Sequence, residues 1–101
     1  MINKIENLIN KYQGLSDKMM DPNAMSDMKH YTKIAKEYKS LEDIVNKGKH
    51  YISLINQLEE YNEVMNSSDE ELKELIKDDI LAIKLDIDNL REKLKILLIP
   101  K

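Results

Sequence analysis

The sequence predicts an all-α protein, an antiparallel three-helix bundle with a long coiled-coil-like helical hairpin. Three observations lead there. Apolar residues recur every three or four positions along most of the 101 residues, which is the period of a helix and not of a strand. Only 2 Gly and 2 Pro interrupt that pattern, few enough to leave long segments unbroken. Hydrophobic residues at 42% and charged residues at 35% match a folded, helix-rich chain better than a disordered one.

The first helix is expected from about residue 2 to residue 19, because Ile2, Ile5, Leu8, Ile9, Tyr12 and Leu15 gather on one side of a helix. Gly14 weakens its end. Met20-Asp21-Pro22-Asn23 stops it, since the residue before Pro avoids the α region and Asp and Asn bond to nearby turn backbone. Ser26 or Asp27 then caps a second helix expected from about residue 26 to residue 65. Its apolar positions are Tyr31, Ile34, Tyr38, Leu41, Val45, Ile52, Ile55 and Leu58. Written out in full, the alternation places Gly48 on the apolar face, where a missing side chain lets a neighbouring helix approach. Either one helix of about 40 residues passes through Gly48 or two helices meet there; a helical Gly costs only about 1 kcal/mol against Ala. The expectation is one long helix, bent if anywhere at Gly48.

Ser68-Asp69-Glu70-Glu71 reads as a capping box, with Ser68 and Glu71 bonding each other's amides. The third helix is expected from about residue 68 to residue 99, ended by Pro100. Ile76, Ile80, Ile83, Ile87, Leu90, Leu94 and Leu97 alternate spacings of four and three, a period of about 3.5 and so a coiled-coil seam. Leu72, Leu75, Leu81 and Leu85 widen the stripe, so this helix is expected to touch two partners near its start. Short turns fold the helices back antiparallel as one helical domain over 1–101. The first helix is too short to cover the whole hairpin, and such an uncovered end pairs with another molecule or with the rest of a longer chain.

Composition excludes several classes. With no Cys there is no disulfide framework and no thiolate zinc site, and a reducing, cytoplasmic setting is the default. The longest apolar run, Ile96-Leu97-Leu98-Ile99, falls far short of the roughly 20 residues that cross a bilayer, so no membrane association is expected. His30 and His50 lack a partner at ligand spacing, and Gly14 and Gly48 stand alone where a phosphate loop needs clustered glycines. Asp78-Asp79 and Asp86/Asp88 sit between seam positions and read as solvated face rather than as an acid and base pair. Asn66-Ser67-Ser68 matches a glycosylation sequon and is read as turn and cap. No catalytic, metal, cofactor or small-molecule site is expected.

One charged feature stands out. Lys29, Lys33, Lys36 and Lys39 follow helical spacing along the second helix, with only Glu37 breaking the run. Such a stripe can neutralise phosphates of a structured RNA. An ordinary solvated face is the competing reading, because the net charge is −3 and no aromatic platform accompanies the lysines.

The run Met20-Asp21-Pro22-Asn23-Ala24-Met25-Ser26-Asp27, then Ala35-Lys36-Glu37-Tyr38 and Leu41-Glu42-Asp43-Ile44-Val45, resembles the N-terminal region of bacterial class I peptide chain release factors. That family has a similar "DP-x-x-x-S-D" turn, a "K-E-Y" helix and an "L-x-x-I-V" continuation. Lys95-Ile96-Leu97-Leu98-Ile99-Pro100-Lys101 resembles the segment closing this domain in the subtype reading UAA and UAG. The sister subtype, reading UAA and UGA, tends to carry a Trp beside its turn and to lack that closing segment.

The resemblance covers the chain from end to end. It implies a role in translation termination, in which the factor enters the ribosomal A site, recognises a stop codon and triggers peptidyl-tRNA hydrolysis. It further implies a first domain cut after Lys101 from a longer factor, docking at the stalk-base region of the large subunit and working with that factor's central and C-terminal domains. The family's Gly-Gly-Gln loop and Pro-x-Thr codon-reading tripeptide match nothing in residues 1 to 101, so no catalytic residue is carried over and the piece itself is expected not to be an enzyme. Two other classes remain open. A stand-alone coiled-coil adaptor or dimerisation module fits the 3.5 period of the third helix. An RNA-binding helical arm fits a long hairpin but calls for denser Lys and Arg on one face.

Overall fold

The computed structural model describes residues 1–100, which form three α-helices and, among the described residues, no strand. Helix α1 spans Ile2–Met20, α2 spans Met28–Met65 and α3 spans Glu70–Leu97. The all-α expectation holds. Lys101, the last residue of the closing segment, lies outside the described residues. The chain falls into two compact units, Met1–Lys49 and His50–Lys101. The first holds α1 and the opening part of α2; the second holds the rest of α2 and α3.

In the first unit the turn chemistry follows from Asp21 and Pro22. Asp21 is extended, with φ −61° and ψ 134°, as the ring of the following Pro demands. Its Oδ1 accepts the Asn23 amide at 2.8 Å, and its carbonyl accepts the Ala24 amide at 2.9 Å. One turn of 3-10 helix, Ala24–Ser26, leads to Asp27. Of the two candidate caps it is Asp27 that serves, its Oδ1 accepting the His30 amide at 3.1 Å and satisfying one of the orphan donors that open α2.

Three contacts set α1 against α2 and fix their direction. Ile5 meets Gly48, Lys11 Nζ lies 2.7 Å from Glu37 Oε1, and Tyr12 stacks on Tyr38 with ring centroids 4.1 Å apart and planes 9° from parallel. Going forward on α1 is going backward on α2, so the pair is antiparallel. Ile5 is 1% exposed, and Leu15, Ile34, Ile44 and Val45 are buried in the same unit. Each fully buried side chain of this size contributes roughly 1.5–3 kcal/mol.

Gly48 decides how closely the two helices come. A Cβ placed there would lie 2.5 Å from Ile5 Cγ2, well inside contact distance. Ile5 has no room to yield, since it is buried and its β-branch holds χ1 to one rotamer in a helix. Helix α2 runs unbroken through this glycine.

In the second unit, residues 66–69 connect α2 to α3. Arg91 Nε donates to the Tyr51 hydroxyl at 3.2 Å across 40 residues of sequence, and with so short a link this contact requires α3 to run back along α2. The start of α3 differs from the capping box read at Ser68. Asp69 is the cap, its Oδ1 accepting the Leu72 amide at 3.0 Å, while Ser67 Oγ closes α2 by donating to the Val64 carbonyl at 2.6 Å. Ser67 is spent on the end of α2, and a carboxylate caps as well as a hydroxyl while also suiting the helix dipole. Helix α3 ends at Leu97, with the Leu98 amide bonded to the Leu94 carbonyl at 2.9 Å; Ile99, next to Pro100, is disfavoured in the α region.

The seam of α3 buries Ile76, Ile80, Ile83, Ile87 and Leu94, while Leu90 is half-buried and Leu97 exposed. The widened stripe is a correction: Leu75 is 71% exposed, Leu81 63% and Leu85 61%, with Leu72 also exposed. At about 100° per residue Leu81 and Leu85 turn away from the seam, and within this unit α3 has one helix to pack on. On α2, Tyr51 and Leu54 are buried where Ile52 and Ile55 were expected, and those two are half-buried. Tyr51 takes the inward place because its hydroxyl finds Arg91, so the ring buries with its polar end satisfied.

Two predictions rest on these contacts. Gly→Ala in a helix ordinarily stabilises by about 1 kcal/mol. Gly14→Ala is expected to do so, as nothing lies within 4 Å of the added Cβ, whereas Gly48→Ala is expected to destabilise by about 1–3 kcal/mol through overpacking on Ile5. Denaturant midpoints of the two variants check the opposite signs. Tyr12, beside the Tyr38 hydroxyl and ring, has its phenol pushed up to about 12 from 10.0. A raised folded-state value means the folded chain holds this proton more tightly, so the stabilisation is full below pH 10 and declines as pH rises towards 12. Tyrosinate absorbance during alkaline titration is expected to show one late-ionising tyrosine, lost in Tyr38→Leu.

Candidate functional site

The four lysines of the stripe stand on the opening turns of α2, and all four are exposed. At about 100° per residue Lys29, Lys33 and Lys36 fall within roughly 60° of arc, with Lys39 about 60° further round, and the row spans about 15 Å. None of the four makes an ion pair with a carboxylate among the described residues. The Asp27 cap and the Asp21-Pro22 turn determine where this row begins.

Helix α1 adds cations that spacing along a single helix does not reveal. Lys11 bonds Glu37, and this hydrogen bond, then the charge of Lys11 and the nearby charges of Lys33 and Lys18, hold the Glu37 carboxyl below its usual range. Lys18 and His30 also meet at a cleft of about 350 Å³ lined with Asp21, Asn23, Ala24, Tyr31 and Ile34. The antiparallel pairing of α1 with α2 therefore sets Lys11 and Lys18 near the α2 row, around one anionic residue. The clue available in the sequence was Lys11 and Lys18 seven apart on α1, which means little until the pairing is known.

Charge is segregated along the chain. Residues 1–49 hold nine basic and seven acidic side chains, and residues 50–101 hold seven basic and twelve acidic. The total of −3 thus conceals a cationic first unit, and a local polyanion contact is compatible with a negative chain. The stretch 59–79 is the most acidic, with nine carboxylates against Lys73 and Lys77.

The other candidate positions do not converge. His30 and His50 are exposed, as are Asp78, Asp79, Asp86 and Asp88, and among the described residues no three His, Asp or Glu side chains gather as a metal site would require. No described helix is long and apolar enough to cross a membrane. Arg91 is held firmly protonated by the Tyr51 hydroxyl, with Asp88 3.2 Å from its Nη1; this group serves packing. The arrangement suits electrostatic and shape-based docking.

Comparison with known proteins agrees with the motifs. The PCRF domain family matches residues 8–101. Proteins named peptide chain release factor 1 match over the whole of this chain: 37% identity with that of Finegoldia magna, 39% with that of Clostridioides difficile and 32% with that of Clostridium tetani. The chain spans 29% of the length of each of these relatives. No solved structure matches it. With all but its first seven residues matched, this chain belongs to the PCRF domain family.

Proposed function

We propose that this chain is the N-terminal helical docking domain of a peptide chain release factor that acts in translation termination at UAA and UAG codons. The observation that carries the reading is the full-length match to proteins named peptide chain release factor 1, of which the chain represents 29%. In this proposal the domain works in the cytoplasm and holds the factor at the stalk-base region of the large ribosomal subunit. The factor's central and C-terminal domains read the codon and trigger peptidyl-tRNA hydrolysis, and residues 1–101 contribute no catalytic group.

The geometry is in keeping with such a task. Docking is weakened by whatever order must be created on contact, and helices already locked by the Ile5–Gly48 contact and the Tyr12–Tyr38 stack leave little to be ordered. The row of Lys29, Lys33, Lys36 and Lys39, widened by Lys18 from α1, is the proposed contact with ribosomal RNA. Its work is neutralisation of phosphates, which adds affinity and association rate without base reading.

The test uses the full-length factor with all four row lysines changed to Glu. The expected result is ribosome affinity at least about tenfold weaker, and a slope of log affinity against log salt shallower by up to about 3 to 4. The maximal release rate at saturating factor is expected to stay near wild type. Unaltered affinity and slope would remove the RNA contact, and a lost maximal rate at unchanged affinity would overturn the docking role.

A further inference from the structure

The turn between α1 and α2 carries a feature that packing leaves unused. Of the chain's six methionines, Met19, Met20, Met25 and Met28 all fall within residues 19–28, around Asp21-Pro22. Met20 is 79% exposed, Met25 57% and Met28 53%, against 40% for Met1 and 37% for Met65, while Met19 is half-buried. The three most exposed thioethers of the described residues therefore share one turn. None of them supports it. The turn is held by the Asn23 amide on Asp21 Oδ1 at 2.8 Å, by Ser26 Oγ donating to the Asn23 carbonyl at 2.7 Å and by the His30 amide on Asp27 Oδ1 at 3.1 Å, bonds that use no methionine side chain. With no Cys and no Trp in the chain, the thioether is its readiest two-electron reductant, and exposure decides which one reacts first.

We infer that Met20, Met25 and Met28 form a site of reversible oxidation by peroxides, and that their sulfoxides loosen the docking of this domain. The inference rests on the proposed docking role and adds a chemical modification that acts on it. In the forward step a sulfur lone pair attacks one oxygen of hydrogen peroxide. The S–O bond forms as the O–O bond breaks, the proton of the transferred hydroxyl passes to the displaced hydroxide, and water leaves. Sulfur loses the two electrons that the peroxide gains. A methionine sulfoxide reductase reverses the step with two thiols, which become a disulfide while the oxygen leaves as water. A sulfoxide inside a core is damage, because it sets a polar group into apolar packing. Here the three side chains already stand in water, so the turn and both helices survive the change. What alters is the surface. Met28 directly precedes Lys29 and, at about 100° per residue, falls about 20° from the direction of Lys39, at the border of the lysine row. A thioether there is apolar and polarisable, suited to covering a sugar or a base. A sulfoxide keeps its own hydration and turns a partly negative oxygen towards the phosphates that the lysines neutralise.

The experiment treats the full-length factor with hydrogen peroxide and maps the added oxygen by mass spectrometry of its peptides. Met20, Met25 and Met28 are expected to gain oxygen ahead of Met19 and Met65, with helicity and thermal midpoint within error of the untreated factor. The two methionine sulfoxide reductases, one per sulfoxide epimer, with dithiothreitol are expected to remove it again. Ribosome affinity is expected to weaken by about threefold or more on oxidation and to return on reduction. The comparator is the full-length factor with Met20→Leu, Met25→Leu and Met28→Leu, in which peroxide still meets every other methionine of the factor; its affinity is expected to be the same before and after treatment. Oxidation of Met19 or Met65 as fast as of the three, unfolding on oxidation, sulfoxides that the reductases leave in place, or an equal loss of affinity in the comparator would each overturn the inference. If the untreated factor fails to release peptide at UAA and UAG, the termination reading itself falls; normal release with a ribosome affinity that peroxide leaves unchanged sinks this inference alone.

Discussion

The contact of Ile5 with Gly48 is the constraint on which the first unit depends. A buried branched side chain fills the place where α2 has none, and the two backbones close on each other there. Once that register is set, Tyr12 falls on Tyr38 and Lys11 on Glu37. The stack adds about 1 kcal/mol, and the exposed ion pair adds less; both are consequences of the register more than causes of it. The same register carries Lys11 and Lys18 beside the α2 row. A packing event in the core thus composes the surface charge.

The second unit solves a different problem. Here α3 buries a regular line of isoleucines that closes with the fully buried Leu94, while Tyr51 is accommodated because its hydroxyl accepts from Arg91 Nε. Burying a ring whose polar end has a partner avoids the cost of an unsatisfied group. What remains outside is strongly acidic with leucines among the acids, in contrast to the cationic first unit.

Much of this was legible in the residues. The period of about 3.5 in α3 named its buried isoleucines because a single regular seam faces a single helix. The Asp21-Pro22 turn was legible because Pro restricts its neighbour and Asp bonds locally, effects that need no tertiary knowledge. The cap at Asp69 was misassigned to Ser68 because Ser, Ser and Asp all cap well, and which one does so depends on how α2 ends. Leu75, Leu81 and Leu85 looked buried because hydrophobicity marks what is able to pack, not whether a partner is present. Tyr51 replaced Ile52 through a hydrogen bond to a residue 40 positions away, which no local pattern contains. At the candidate site the four α2 lysines were legible from helical spacing alone, whereas the contribution of Lys11 and Lys18 had to await the pairing of α1 with α2.

In the proposed reading, residues 1–101 position a factor and leave its chemistry to other domains. Deleting them from the full-length factor and measuring stop-codon-dependent peptide release against factor concentration tests it most directly. The expected result is a half-saturating concentration raised by about tenfold or more, with a maximal rate close to that of the intact factor, since lost docking contacts alter binding and not the reacting groups. A collapsed maximal rate at unchanged half-saturation would contradict it.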